Sequence, residues 1–139
     1  MDTQSNLPPV VRRGQNMEFS RLEQAVMGVI LSRSVKGMEV VRMQFAAASV
    51  VQRDHTTVGF FTKLSVPSSV PPMPDSKELR EVLFDGAGGY PTSDPEGWVL
   101  FILWTEGRYI SCLEGFTVRD SWPNEDDIEY IVPVGKRSD

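Results

Sequence analysis

The apolar positions in the first third of the chain recur with helical spacing. They are Leu22, Ala25, Val26, Val29 and Ile30 in one stretch, and Met38, Val41, Phe45 and Ala48 in the next. Ser20 and Glu23 have the spacing of a capping box, which starts a helix, and Gly37 is typical of a helix end. The pattern therefore predicts one helix over about 21–34 and a short second helix over about 38–48.

Branched and aromatic residues follow and predict strands over 49–54 and 58–66. The prolines crowded between 67 and 74 exclude regular structure there. After them the sequence predicts a short strand over 81–84 and a long glycine-bearing loop over 85–97.

The clearest predicted element is a hairpin formed by residues 98–105 and 108–118. Gly107 suits a two-residue type I′ turn at Glu106-Gly107, and this turn places Phe101 opposite Cys112. Both faces of the hairpin are then apolar, so it is predicted to be central in the sheet and covered on both sides. A last strand is expected over 128–132.

These elements predict an α+β fold, with two N-terminal helices on one face of a mainly antiparallel sheet of about five to six strands. The chain has 139 residues, which suits one domain over 17–135 between flexible tails at 1–16 and 136–139. The second face, with Trp98, Trp104 and Tyr109, needs a cover. The cover is another molecule, as in a homodimer or a partner complex, or it is part of the chain itself, either the proline-rich loop or a terminal segment.

The charge balance narrows the classes of partner. With 14 Lys and Arg against 19 Asp and Glu, the net charge is −5, which argues against general affinity for nucleic acid or an anionic membrane. Residues 94–139 carry ten acids and four bases, a net charge of −6, which leaves +1 for residues 1–93. The acidic charge is therefore concentrated in the final third.

The cysteine and histidine counts exclude a disulfide scaffold and a structural zinc site. Cys112 has no partner for an internal disulfide, and His55 alone cannot build a Cys/His zinc site, so we expect no metal and no cofactor. The apolar run 98–104 is far shorter than the roughly 20 residues that span a bilayer. The N-terminus has no apolar run typical of a secretory signal, and the lone thiol suits a reducing compartment, so a cytoplasmic protein is expected.

Glu114 is the most unusual candidate site residue. In the predicted pairing it lies between Cys112 and Phe116 on an apolar face, where a carboxylate is costly unless it is paired or protonated. It could be a general acid or base, or an anchor for a cationic partner; alternatively, it reaches water at the sheet end. Arg53 and His55 can share one face of an extended chain, although a solvated turn is the simpler interpretation.

The segment from Asp120 to Glu129 is the candidate binding surface for a partner. Its candidate residues are Asp120, Trp122, Glu125, Asp126 and Asp127. Carboxylates in such a cluster could hold Ca²⁺, but the segment has no EF-hand pattern, so a solvated turn is the default. The indole of Trp122 is expected to cap one end of the sheet.

Several strings resemble a family of small, uncharacterised bacterial proteins that share a T-G-V-G-F-F-type strand and an L-E-G-[FY]-[ST]…W-P ending. They are Thr57–Thr62, Val99–Gly107, Leu113–Thr117 and Trp122-Pro123. Here Thr57 directly precedes Val58, where the family pattern has a glycine between them. The resemblance covers about residues 22–123 and implies a bacterial, cytoplasmic protein with no assigned activity. It transfers no catalytic residue, although its recurring glutamate matches Glu114.

Three functional hypotheses remain open. The first is a non-enzymatic acidic interaction protein, of the inhibitor or immunity type, that binds a basic protein through its final third. The second is an enzyme or small-molecule binder whose pocket lies between the 85–97 loop and the sheet, where Glu114, His55 and Arg53 would converge. The third is a small acidic secretion chaperone.

Overall fold

A computed structural model of the chain describes residues 18–135, and the predicted tails over 1–16 and 136–139 lie outside the described residues. The helices in that range are α1 (Arg21–Leu31), α2 (Met38–Ala47) and α3 (Lys77–Asp85). The strands are β1 (Ser49–His55), β2 (Gly59–Ser65), β3 (Ala87–Pro91), β4 (Val99–Glu106), β5 (Tyr109–Thr117) and β6 (Ile128–Pro133). All neighbouring strands are antiparallel in the order β1-β2-β5-β4-β3-β6. The predicted α+β class, with two helices ahead of the sheet, is confirmed.

The capping box at the start of α1 is present, but the helix ends at Leu31, earlier than expected. The hydroxyl of Ser32 donates a 2.7 Å hydrogen bond to the carbonyl oxygen of Val29 and helps to close the last turn. Gly37 does not end α1. It precedes α2 with a φ of +96°, and a Cβ at that position would lie 2.7 Å from the ring of Pro74. Only glycine suits both the left-handed conformation and the close approach.

The prediction of a strand over 81–84 is wrong, because this stretch belongs to α3. The side chain of Ser76 accepts a hydrogen bond from the backbone N–H of Leu79, which caps the first turn. Leu79, Val82 and Leu83 then fall on one side of the helix and are buried. The cap and this spacing favour a helix over a strand.

The prediction of a glycine-bearing loop over 85–97 is also wrong in part, because the first half of this stretch forms β3. This strand pairs with β4 on one side and β6 on the other. Gly89 allows the close packing, since a Cβ there would lie 2.2 Å from the carbonyl oxygen of Tyr130. The glycines here therefore fit a buried strand between two neighbours rather than a flexible loop.

The hairpin of β4 and β5 is central, as predicted, but its register differs. The turn residues are Gly107 and Arg108, both with positive φ as a type I′ turn requires. The pairing then shifts at Ser111, because Ile110 lies opposite Thr105 whereas Cys112 lies opposite Trp104. This bulge exchanges the faces expected for the rest of β5. Glu114 therefore lies opposite Ile102, not opposite Val99.

The buried core lies between α1, α2 and one face of the sheet. Val26, Ile30 and Val41 from the helices pack with Phe101 and Leu113 from the central strands. We call the other side of the sheet the open face. Strand alternation places on it Phe61, Tyr90, Trp98, Leu100, Ile102, Trp104, Cys112, Glu114, Phe116, Tyr130 and Val132.

Candidate functional site

The acidic segment predicted from the sequence forms the connection between β5 and β6. The side chain of Asn124 accepts a 3.0 Å hydrogen bond from the backbone N–H of Asp126 and starts a single 3₁₀ turn over Glu125–Asp127. The backbone N–H of Trp122 donates to the carbonyl oxygen of Thr57 at 2.8 Å. The segment is thereby tied to the turn between β1 and β2, at one end of the sheet.

Trp122 closes the core at that end. Its ring lies edge-on to Phe60 and Phe101, with centroid distances of 5.4 and 6.1 Å. Its indole N–H donates to Oε2 of Glu125 at 3.0 Å. The contact fixes the carboxylate of Glu125 against the body of the protein.

The carboxylate of Asp127 is hydrogen-bonded to other residues of the protein. Its carboxylate accepts hydrogen bonds from the hydroxyls of Thr92 and Ser93, and from the backbone N–H of Ser93 at 3.3 Å. Hydrogen bonds from Ser93 and Thr92 lower the pKa of Asp127 below its usual value. Asp127 thus anchors the acidic segment to the turn after β3, while Asp120 and Asp126 are exposed.

The first turn of α1 and the acidic segment enclose a cleft of about 370 Å³, which we call the acidic cleft. Its lining residues are Ser20, Arg21, Leu22, Ala25, Glu125, Asp126, Ile128, Glu129 and Ile131. Four of them are apolar, three are acidic and one is basic. A cavity with apolar walls and an excess of carboxylates suits a lysine or arginine side chain, which can bury its methylene stem and keep its charged head near acids.

A buried ion pair holds α1 beside this cleft. The carboxylate of Glu23, only 2% exposed, accepts hydrogen bonds from Nε and Nη2 of Arg53 at 2.9 and 2.8 Å. It also accepts bonds from the hydroxyl of Thr62 at 2.6 Å and the backbone N–H of Ser20 at 2.8 Å. Burial alone would raise the pKa of Glu23, but the bonds from Arg53, Thr62 and Ser20 outweigh it and lower that pKa.

The sequence reasoning predicted Glu23 as part of a helix cap and missed its role in this ion pair. One signal was available in the printed sequence. Glu23 lies three, four and seven residues before Val26, Met27 and Ile30, so it falls on the buried stripe of α1. A carboxylate on such a stripe needs a buried cationic partner.

Arg53, His55 and Glu114 do not meet in one pocket. Arg53 and His55 lie opposite Thr62 and Phe60, on the side of the sheet that faces the helices. Glu114 lies on the open face and accepts a 2.9 Å hydrogen bond from the indole N–H of Trp104. The sheet therefore separates the carboxylate of Glu114 from the other two side chains.

Of the three aromatic residues expected on the second face, Trp98 and Trp104 both lie on the open face. The hydroxyl of Tyr109 donates a 2.8 Å hydrogen bond to the carbonyl oxygen of Val70 in the proline-rich loop. Cys112 also lies on the open face, instead of in the core opposite Phe101, and is half-buried. Burial raises the pKa of the Cys112 thiol, and the nearby Glu114 carboxylate adds to this shift. The thiol is therefore uncharged at neutral pH.

Among residues 18–135, no cluster of three or more His, Cys, Asp or Glu side chains is arranged to hold a metal ion. No helix in that part of the chain has the length and apolar character needed to cross a membrane. Comparisons with family models, with curated proteins and with solved structures gave no match.

Proposed function

We propose that the chain is a non-enzymatic cytoplasmic interaction protein that binds a basic protein partner through the acidic cleft. In this proposal it acts as a small inhibitor or immunity protein does, by occupying a basic surface of its partner. The observation that carries the proposal is the composition of the cleft, in which Glu125, Asp126 and Glu129 stand around the apolar side chains of Leu22 and Ile128.

The walls of the cleft are held in place, which favours binding. Glu125 is fixed by the indole of Trp122, and the start of α1 is fixed by the bonds of Glu23. A site whose side chains are already ordered loses less conformational entropy when a partner arrives. The excess of acids in residues 94–139 would also speed the encounter with a basic partner.

The separation of Arg53 and His55 from Glu114 gives no support to an enzyme that uses these three residues together. Two of them also have structural bonds, because Arg53 pairs with Glu23 and Glu114 accepts from Trp104. The interaction proposal requires no convergence of these groups.

The first test titrates a synthetic peptide of alternating lysine and valine into the ¹⁵N-labelled protein. We expect shifts at the backbone amides of Leu22, Ala25 and Ile128. The variant Asp126→Asn/Glu129→Gln should bind the peptide about tenfold more weakly, because two carboxylates are lost. The matched control Glu78→Gln/Glu81→Gln removes two acids from α3 and should bind as the native chain does. If peptide binding is the same in all three proteins, or shifts other amides only, the cleft is not the site.

A second test captures proteins from a bacterial lysate on the same three immobilised proteins. At least one basic protein should be retained by the native chain and the control, be lost with the cleft variant, and elute when salt shortens the screening length from about 10 to about 3 Å. Retention that does not depend on Asp126 and Glu129 would count against the proposal.

A further inference from the structure

We propose that the open face of the sheet is the interface of a homodimer, in which it packs against the same face of a second copy. This surface lies on the side of the sheet away from α1 and α2, so it is distinct from the acidic cleft. The inference goes beyond the proposed function and does not depend on it.

The first observation is that the open face presents large aromatic side chains that are only partly covered. Trp98, Trp104, Tyr130 and Val132 of this face are 42, 39, 53 and 48% exposed. Phe84 of α3, whose ring meets that of Trp104, is 54% exposed. Exposed apolar groups that cluster in this way are typical of interfaces, unlike apolar residues scattered singly. Trp and Tyr are also the residues that most often dominate binding energy.

The second observation is that these aromatic side chains are held by their neighbours. Tyr90 stacks on Tyr130 and meets Trp98 edge-on, both at centroid distances of 5.3 Å. Trp104 meets Phe84 edge-on at 5.5 Å and donates its indole N–H to Glu114. Because their rotamers are already restricted, little side-chain entropy remains to be lost when they are covered.

The charge of the open face favours a second copy as the occupant. On the central strands β4 and β5, over positions 98–104 and 112–118, Glu114 is the one charged residue that the open face presents. Two further charged residues on this face, Asp54 and Lys63, lie on β1 and β2. The face is nearly neutral, although the whole chain has a net charge of −5. Two acidic copies can therefore meet here with little repulsion, whereas a strongly basic partner would find few carboxylates to pair with.

The size of the face also suits a dimer. Six strands of five to nine residues form the sheet. With strands ~4.8 Å apart and a rise of ~3.3 Å per residue, its face measures about 25 Å in each direction, or on the order of 600 Å². Side-chain relief adds to this area, which approaches the ~800 Å² that each partner contributes to a standard stable interface. A twofold axis through the face would bury it in both copies at once.

The test measures the mass of the purified chain by light scattering at protein concentrations between about 1 μM and about 1 mM. We expect the mass to rise with concentration from 15.6 kDa to twice that value. Trp98→Glu and Val132→Glu should each shift the equilibrium at least a hundredfold toward monomer, because the partner copy would have to bury the new carboxylate. The matched control Met43→Glu, at a 49% exposed residue of α2, should dimerise as the native chain does.

Tryptophan fluorescence provides a readout that does not depend on the variants. Iodide should quench the native chain less at high than at low protein concentration, since Trp98 and Trp104 become covered while Trp122 is packed against the core at every concentration. A strict monomer at 1 mM would overturn the proposal, and so would a dimer that Trp98→Glu and Val132→Glu leave intact. If the face is instead covered by residues 1–17 of the same chain, the native chain stays monomeric and removal of 1–16 increases quenching, which also overturns it.

Discussion

The buried polar groups on the helix-covered side of the sheet are few and hydrogen-bonded, whereas the open face carries aromatic side chains that remain partly exposed. On the covered face Glu23 accepts four hydrogen bonds, and Gln44, with no exposed surface, makes three. On the open face Trp98 and Trp104 keep about two-fifths of their surface in solvent. Both faces are apolar in sequence, so apolar alternation did not separate them. The buried, hydrogen-bonded polar groups distinguish the two faces, because such groups occur only where water is excluded.

The largest effect should follow from removing the carboxylate on the covered face. Glu23→Ala leaves Arg53 without its buried partner, and we expect it to lower the free energy of unfolding by about 3–5 kcal/mol. Urea denaturation measures the loss. Glu78→Ala, at an exposed position of α3, is the matched control and should cost less than about 0.5 kcal/mol. If the two substitutions had equal effects, the ion pair would not distinguish the covered face.

Two tryptophan substitutions compare the faces directly. Trp122→Ala removes a ring packed on Phe60 and Phe101, and we expect it to lower the free energy of unfolding by about 3 kcal/mol. Trp104→Ala on the open face should cost about 1 kcal/mol when measured at a concentration that keeps the chain monomeric. Similar losses at both positions would mean that the open face is packed as tightly as the core.

A third substitution tests the amide buried between α2 and the proline-rich loop. Gln44 donates to the carbonyl oxygens of Pro71 and Arg108 and accepts from the backbone N–H of Ile110 at 2.9 Å. Gln44→Leu keeps the volume but leaves these three groups unpaired, so we expect a loss of about 2 kcal/mol in thermal or urea unfolding. Gln24→Leu, on the exposed side of α1, should change stability by less than about 0.5 kcal/mol.

The smallest expected effect is on how stability depends on pH. The pKa of Glu23 is lower in the folded chain than its ordinary value of about 4.3 in an unfolded chain. Its contribution to stability is therefore complete above that ordinary value and is lost as the pH falls through the lower folded pKa. Urea midpoints measured from pH 6 to pH 2.5 should decline less steeply for Glu23→Gln than for the native chain. Parallel declines would show that other carboxylates govern acid unfolding.

The parts of the fold that follow from local patterns were predictable. The capping box and apolar spacing located the start of α1, and the glycine turn located the central hairpin. The Ser111 bulge has no comparable local signal, because one extra residue in a strand is recognised only through its pairing partner. The missed bulge made Glu114 look like a buried carboxylate among apolar groups. Its actual bond to Trp104 removes that conflict.

The elements after the proline cluster were missed for a different reason. Three glycines and one proline between 85 and 91 have low intrinsic strand propensity, so the sequence favoured a loop. In the structure, long-range packing overrides that preference, because β6 approaches β3 too closely for a side chain at Gly89. At the candidate site, similarly, sequence spacing showed an acidic cluster but not that Asp127 is used internally while Glu125 and Asp126 border a cleft.

The first turn of α1 has a consequence for local unfolding. It is bonded to β1 through Arg53, and across the acidic cleft it faces β6 at Ile128 and Ile131. These strands are the two opposite edges of the sheet, where backbone groups first become accessible to solvent and to proteases. Fraying of this single turn would loosen both edges together. We therefore expect the amides of β1 and β6 to exchange hydrogen as one cooperative unit, although the whole sheet lies between them.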